Sequence, residues 1–353
     1  MRLTGFIVIL LSLSTNLFGQ VDELTSQFAV SDTHIVSSKL FESDNLFEIT
    51  LKFDITTFRR NKSDTEQLPA VLIYHISETD SVVKNLKLKA RGNVRRSICD
   101  YPPIRLNFRI ADSTSDEFSD IDKLKLVTHC RIGYEEYVLE EYIIYKLFNL
   151  LTDNSFKVRL LRIKYIDTSR DRKPHIQFGF AIEPVSLLEK RLKNFEVKTE
   201  KFSQKLVIPE VMDRMAIFQY MIGNTDWELP SMHNVIIMTS PGTSYPGLGL
   251  VIPYDYDYSG LVNASYAIPS QELPIKSVTE RYYMGICRDA EVFKRALEEF
   301  SGKKEEFYTL IKEFPYLRER EKKRITRYLD GFFNDFGRNY SIVNKLLSTC
   351  KEF

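Results

Sequence analysis

Apolar and polar positions alternate along residues 46–55, again at Leu86, Leu88 and Ala90 between lysines, and again along 104–110. A period of two is the mark of a strand with one buried face. Residues 70–75 form a compact apolar run, and Leu124, Leu126 and Thr128 resume the alternation after an acidic Ser/Asp/Glu loop at 112–120. Together these segments predict a mainly antiparallel β-rich region. The period then changes. Val138, Leu139, Tyr142, Ile143, Leu147 and Leu150 recur every three or four residues and predict a helix over 134–151. Glu135, Glu136, Glu140 and Glu141 in its first turns suit the positive end of the helix dipole.

Two more strands are expected at 156–166 and 176–182, and the second runs through Glu183 into a basic amphipathic helix. Beyond residue 208 the pattern is helical apart from one hairpin. Val211, Met215, Phe218, Met221 and Ile222 predict a helix that Gly223 can close with a positive φ. The apolar runs 235–237 and 248–252 then read as paired strands, followed by amphipathic helices over 290–300, 303–314 and 318–336. The charge run at 318–324 reads as a solvated helix face laced with ion pairs. The loops at 61–67, 112–120 and 240–246 are too short to separate independent domains.

The chain has 353 residues, enough to bury a substantial core, and 12% aromatic residues, which argues for order. Its 49 basic residues against 48 acidic ones exclude a global electrostatic case for nucleic acid or anionic membrane. Residues 1–19 carry Arg2, an apolar run at 6–13 and Gly19 before Gln20, and read as a cleavable signal peptide. A retained anchor is the other reading of this short apolar run. With no further apolar stretch, no membrane span is expected after cleavage, and the mature protein is expected in the periplasm or outside the cell. Cys99, Cys130, Cys287 and Cys350 could then form disulfides, with Cys99 and Cys130 the first-choice pair because both lie beside strands of the same sheet. No C-x-x-C or Cys/His spacing suggests zinc, and no G-x-S-x-G elbow suggests a triad.

The polar chemistry concentrates between residues 222 and 260. Asn224 and Asp226 follow the helix closed by Gly223, Asn234 opens one strand of the hairpin, and Asp255 and Asp257 follow the other. Pairing of those strands would gather Asp226, Asn234, Asp255 and Asp257 at one end of a hairpin. Hard oxygen donors in that number are what holds Mg²⁺ or Mn²⁺ against phosphate oxygens. As Asn and Asp also favour turns and caps, each is a candidate structural residue on its own.

This order of N-x-D, an Asn at a strand start, and a strand ending in D-x-D before a Gly resembles the spore-coat CotH family of atypical secreted protein kinases. Arg91-Gly92-Asn93 is similar to that family's R-G-N segment, although Tyr101-Pro102-Pro103 stands where the family continues with lysines, and a basic residue returns only at Arg105. The resemblance implies an α+β, two-lobed protein-kinase-like fold: an antiparallel β-rich N-terminal lobe over 20–183 with one long helix, and a mainly helical C-terminal lobe over 184–353 carrying the acidic hairpin. It implies ATP with Mg²⁺ or Mn²⁺, and a hydroxyl-bearing acceptor, protein being one candidate. Asp226 would orient the acceptor nucleophile. Asn234 and Asp255 would hold metal, with Asp257 a second ligand or its support. Arg91, Arg105 and Lys125 are the candidate phosphate-binding groups, and Glu141 the carboxylate that pairs with such a base. Glu183 would mark the hinge whose backbone, 181–184, faces adenine. The spacing from Asp226 to Asn234 is longer than in the usual H-R-D-x-x-x-x-N loop.

Two other classes compete with the exported phosphotransferase. One is a non-catalytic kinase-like binding protein at the cell surface, favoured by the missing lysines after Asn93. The other is a secreted hydrolase using paired carboxylates, with Trp227, Tyr254, Tyr256 and Tyr258 available to stack on sugar rings. His129 and His233 read as structural or supporting groups.

Overall fold

The structure is a computed structural model, and it describes residues 38–108, 116–198, 201–242, 248–337 and 341–352. The expected signal peptide and parts of the loops at 112–120 and 240–246 lie outside the described residues. All described residues belong to one compact unit, Ser37–Phe353.

Seven strands close into a barrel: β1 (Phe47–Phe53), β2 (Leu68–His75), β3 (Ser81–Ala90), β4 (Ile104–Asn107), β5 (Lys123–Thr128), β6 (Val158–Asp167) and β7 (His175–Ile182), in the order β1-β2-β3-β4-β5-β7-β6. Every pair is antiparallel except the closing one, where β1 runs parallel to β6 from Phe47 beside Leu161 to Phe53 beside Asp167. The alternation seen in the sequence fills the barrel: Leu51, Phe53, Leu72, Leu88, Leu106, Leu126, Ile163 and Tyr165 point inward and are buried. Gly179 on β7 is a close-approach position, since a Cβ there would lie 2.8 Å from Ile163 Cδ1 and 2.9 Å from the Val127 carbonyl.

This corrects the expected fold. The chain does not form a two-lobed kinase-like fold with an open antiparallel N-terminal sheet; its N-terminal strands close into a mixed seven-stranded barrel accompanied by a small three-stranded sheet and helices. The reason is the β1–β6 pair. Parallel partners need a long crossover, and joining them removes both open edges that an antiparallel sheet would have left exposed.

Two short helices were also not anticipated, α1 (Ile55–Asn61) and α2 (Val94–Ile98). The Asp54 side chain caps α1 by accepting from the Thr57 N–H at 2.8 Å. The long helix α3 (Glu135–Leu151) packs against β7 from outside the barrel. After α4 (Val185–Leu192) come β8 (Phe195–Val197), α5 (Pro209–Ile222), β9 (Val235–Thr239) and β10 (Leu250–Pro253). The three strands form the small sheet, in the order β10-β9-β8, with Val235 opposite Pro253 as the expected hairpin requires. α6 (Ala290–Gly302), α7 (Lys304–Glu313), α8 (Glu319–Gly337) and α9 (Ser341–Leu347) complete a helical layer that shares its apolar core with α3 and α5.

The charge run at the start of α8 makes ion pairs at a spacing of three residues, Lys322 with Glu319 and Arg324 with Glu321. Arg324 does more than solvate. It also reaches Glu140, which is buried on α3, and donates to the Leu261 carbonyl at 2.7 Å. Two disulfides close the chain, Cys99–Cys130 as expected from their shared sheet, and Cys287–Cys350. No helix among the described residues is long and apolar enough to cross a membrane.

Candidate functional site

A cavity of about 440 Å³ opens where the ends of β3, β4 and β5 meet the hairpin of β9 and β10. Its barrel wall is made by Arg91, Gly92, Asn93, Arg105 and Lys125; its opposite wall is made by Asp226, His233, Asn234, Asp255 and Asp257. Two stretches of sequence that lie far apart thus meet across one space. Of the residues singled out from sequence, Arg91, Arg105, Lys125, Asp226, Asn234, Asp255 and Asp257 all line it.

The acidic wall is held by its own backbone. Gly223 closes α5 in the left-handed region at φ 66°, where a Cβ would collide with the Tyr328 hydroxyl. Buried Asn224 accepts from the Asp226 N–H at 3.1 Å and so fixes the turn that delivers Asp226. Met232, Asn234 and Asp255 also have left-handed φ values of 54°, 53° and 64°. Such positions are uncommon for side-chain-bearing residues and cluster where a site needs them. The Asp255 N–H is held by the hydroxyl of Tyr145 on α3, at 2.9 Å.

Asp226 is clamped from two sides. His233 Nε2 lies 2.9 Å from its Oδ1, and the Asn234 amide donates to its Oδ2 at 2.9 Å and to its carbonyl at 2.8 Å. The hydrogen bond to Asp226 raises the His233 pKa above its ordinary value, against the opposing pull of partial burial. The Asn234 amide nitrogen is spent on Asp226, which leaves its side-chain oxygen for the cavity.

At the cavity floor, which it helps to line, Arg95 on α2 is buried and charged. Its Nη1 lies 3.2 Å from Glu141 Oε2, its Nη2 donates to the Thr128 carbonyl at 3.1 Å, and its Nε lies 3.7 Å from Asp257 Oδ2. Burial disfavours that charge, but Tyr266, Asp257 and Glu141 outweigh it and the Arg95 pKa is raised. Burial pushes Glu141 up to about 8, with Arg95 opposing. Burial and then the neighbouring Asp255 push Asp257 up to about 7, although Tyr266 donates to it at 3.0 Å. Glu141 thus pairs with Arg95 and with none of the expected phosphate-binding groups Arg91, Arg105 and Lys125.

The basic wall is strained in the opposite sense. Lys125 is lowered to about 8, first by burial and then by Arg91 and Arg105, and its ammonium sits 5.3 Å from the centre of the Tyr254 ring. Arg105 and Lys125 are direct cross-strand neighbours on β4 and β5. Among the described residues, no carboxylate forms an ion pair with Arg91, Arg105 or Lys125. Glu183 is not at the cavity. It is buried against Arg191 at 2.8 Å and accepts from the Lys157 N–H at 3.0 Å.

Among the described residues no three or more His, Cys, Asp or Glu side chains gather to hold a metal ion by themselves. What the cavity offers is two carboxylates, Asp255 and Asp257, and the freed amide oxygen of Asn234. That donor set fits a hard divalent cation that completes its shell with water and a ligand's phosphate oxygens, as Mg²⁺ does. No family model matches this chain and no curated protein matches it, so the resemblance to the CotH family rests on the residues quoted above.

Proposed function

We propose that the protein is an exported, divalent-cation-dependent phosphotransferase that uses ATP to phosphorylate a hydroxyl acceptor. The observation that carries this reading is the polarity of this cavity: three basic groups that repel one another on one wall, and acidic groups that repel one another on the other. A polyphosphate relieves the first and a cation the second, and a metal–nucleotide complex brings both together.

In this reading Arg91, Arg105 and Lys125 bind and orient the phosphates, Arg91 and Arg105 through their planar donor forks. Asn234, Asp255 and Asp257 would hold Mg²⁺ or Mn²⁺, which when bound supplies charge neutralisation at the phosphates. Asp226, fixed by His233 and Asn234, accepts the proton of the acceptor hydroxyl. The acceptor oxygen forms the new bond to the γ-phosphorus, the bond to the β–γ bridging oxygen breaks, and ADP leaves with that electron pair. Arg95 and Glu141 keep α2 and the segment around Asp257 in register from below. Export is supported by the signal-like N-terminal sequence together with the two disulfides.

Against the carboxylate hydrolase stands the basic wall of Arg91, Arg105 and Lys125, for which hydrolysis by a pair of carboxylates has no need. The test is calorimetric titration of ATP with Mg²⁺ or Mn²⁺ into the purified protein, alongside Asp255→Ala. Metal-dependent binding that the substitution abolishes is the expected result. Absence of binding with either metal, in folded protein, would overturn the reading.

A further inference from the structure

Beyond the acidic wall lies a row of tyrosines, of which only Tyr266, through its bond to Asp257, touches a residue of the proposed phosphotransferase site. Tyr258 lines the cavity; its ring lies 6.0 Å from Tyr266, which lies 6.2 Å from Tyr137, which lies 5.3 Å from Tyr134. The rings meet at 55°, 87° and 64°, so no ring is stacked flat on its neighbour, and Tyr137 and Tyr266 rest against the apolar core. All four are half-buried, unlike the core tyrosines Tyr145 and Tyr256 close by. Two are pinned through their phenols: Tyr266 donates to Asp257, and Tyr137 accepts from the Ser265 N–H at 3.3 Å. Tyr134 and Tyr258 make no such bond to a described residue. A row of half-buried tyrosine rings, with the Tyr134 and Tyr258 phenols unbonded at its two ends and continuous with a cavity, suits a ligand that has flat C–H faces edged by hydroxyls.

We propose that this row is a carbohydrate-binding surface, and that the acceptor of the cavity is a hydroxyl of the bound saccharide. The second half of the inference rests on the phosphotransferase reading; the first does not. A peptide is the weaker fit. The strands of the closed barrel offer it no edge to extend, and the rings themselves carry no charge to read its side chains. A sugar ring carries its acceptor group at each hydroxyl, and transfer would yield a sugar phosphate ester and ADP.

The experiment is saturation-transfer NMR on the whole protein with xylohexaose, cellohexaose and chitohexaose as probes, run in parallel with the ATP titration. At least one hexasaccharide is expected to bind, and Tyr134→Ala and Tyr258→Ala are each expected to weaken it by about tenfold. Tyr134→Phe, which keeps the ring, is expected to retain most of the binding, and unchanged unfolding midpoints show that the variants fold. No binding by any probe, binding indifferent to both alanine substitutions, or preferential binding of an unstructured proline-rich peptide to the row would overturn the carbohydrate surface. Saccharide binding that Tyr134→Ala removes, in a protein that does not bind ATP, would leave the surface standing and remove the phosphotransferase reading.

Discussion

Arg95 and Glu141 lie 46 residues apart in the chain and form a buried ion pair at 3.2 Å at the floor of the cavity, which Arg95 lines, with only 8% and 1% of their side chains exposed. The pair joins the short helix after the Arg91-Gly92-Asn93 loop to the long helix outside the barrel. Removing one partner strands the other charge in a dry environment, at a cost of about 3 to 5 kcal/mol. Glu141→Gln is therefore expected to lower the unfolding free energy by an amount in that range, read from denaturant titration. Arg95→Lys is expected to fare little better, because an ammonium cannot reach Glu141, Thr128 and Asp257 at once. An unfolding midpoint within error of the parent for either variant would show that the pair is dispensable.

The turn at Gly223 supplies a second prediction. Alanine there must adopt a left-handed φ of 66° and drive its Cβ into the Tyr328 hydroxyl. Gly223→Ala is expected to destabilise the protein by at least about 2 kcal/mol. Tyr328→Phe in the same chain is expected to recover part of that loss, the steric share, and leave the conformational share. Equal stability of the single and double variants would show that the contact relaxes.

Local periods explain which parts of this architecture were legible in the sequence. Inward residues such as Leu86, Leu88 and Leu126, and the stripe from Val138 to Leu147, report their own burial by spacing alone. Closure of the barrel did not show, because the partners Phe47 and Leu161 carry no mark of each other and lie on opposite sides of α3. Only Ile55 of α1 falls within the alternation of 46–55 and so reads as strand; the cap from Asp54 makes it the first residue of a helix instead. The acidic residues of the cavity were visible because turns concentrate them within one hairpin. Arg95 was not, because nothing local distinguishes it from Arg96, which pairs with Asp64 at the surface while Arg95 turns inward.

His129 gives a pH prediction. It is fully buried inside the barrel, its ring 4.6 Å from Tyr101 and 5.9 Å from His175, and neither ring nitrogen has a hydrogen-bond partner among the described residues. Burial, then His175 and Arg59, lower its pKa from 6.5 to about 3. Above pH 6.5 both folded and unfolded chains carry it neutral, and its contribution is complete. As pH falls below that value the unfolded chain takes up a proton that the folded one refuses, so stability declines by up to about 1.4 kcal/mol per pH unit until about pH 3. Urea midpoints measured between pH 7 and pH 4 should follow this slope, and His129→Phe should flatten it. An unchanged slope in that variant would assign the acid sensitivity to other groups.

Lys125 ties pH to ligand binding. In the free protein burial and the charges of Arg91 and Arg105 hold its pKa near 8, so the ammonium is present below that value and lost above it. Polyphosphate placed against these three groups supplies the missing negative charge, which raises the Lys125 pKa in the complex. Two consequences have fixed signs. ATP affinity should be level below about pH 7 and fall as pH rises through 8, because binding then has to recharge the lysine. Over the same interval binding should take up a proton, so the calorimetric enthalpy should vary with the ionisation enthalpy of the buffer. Lys125→Arg keeps the charge at every pH in this range and should abolish both effects while preserving affinity below pH 7. Lys125→Met removes the charge and should weaken binding below pH 7 by on the order of tenfold, the share of one charge-assisted contact. If the wild-type affinity is level through pH 9, Lys125 does not face the phosphates, and the basic wall must act through Arg91 and Arg105 alone.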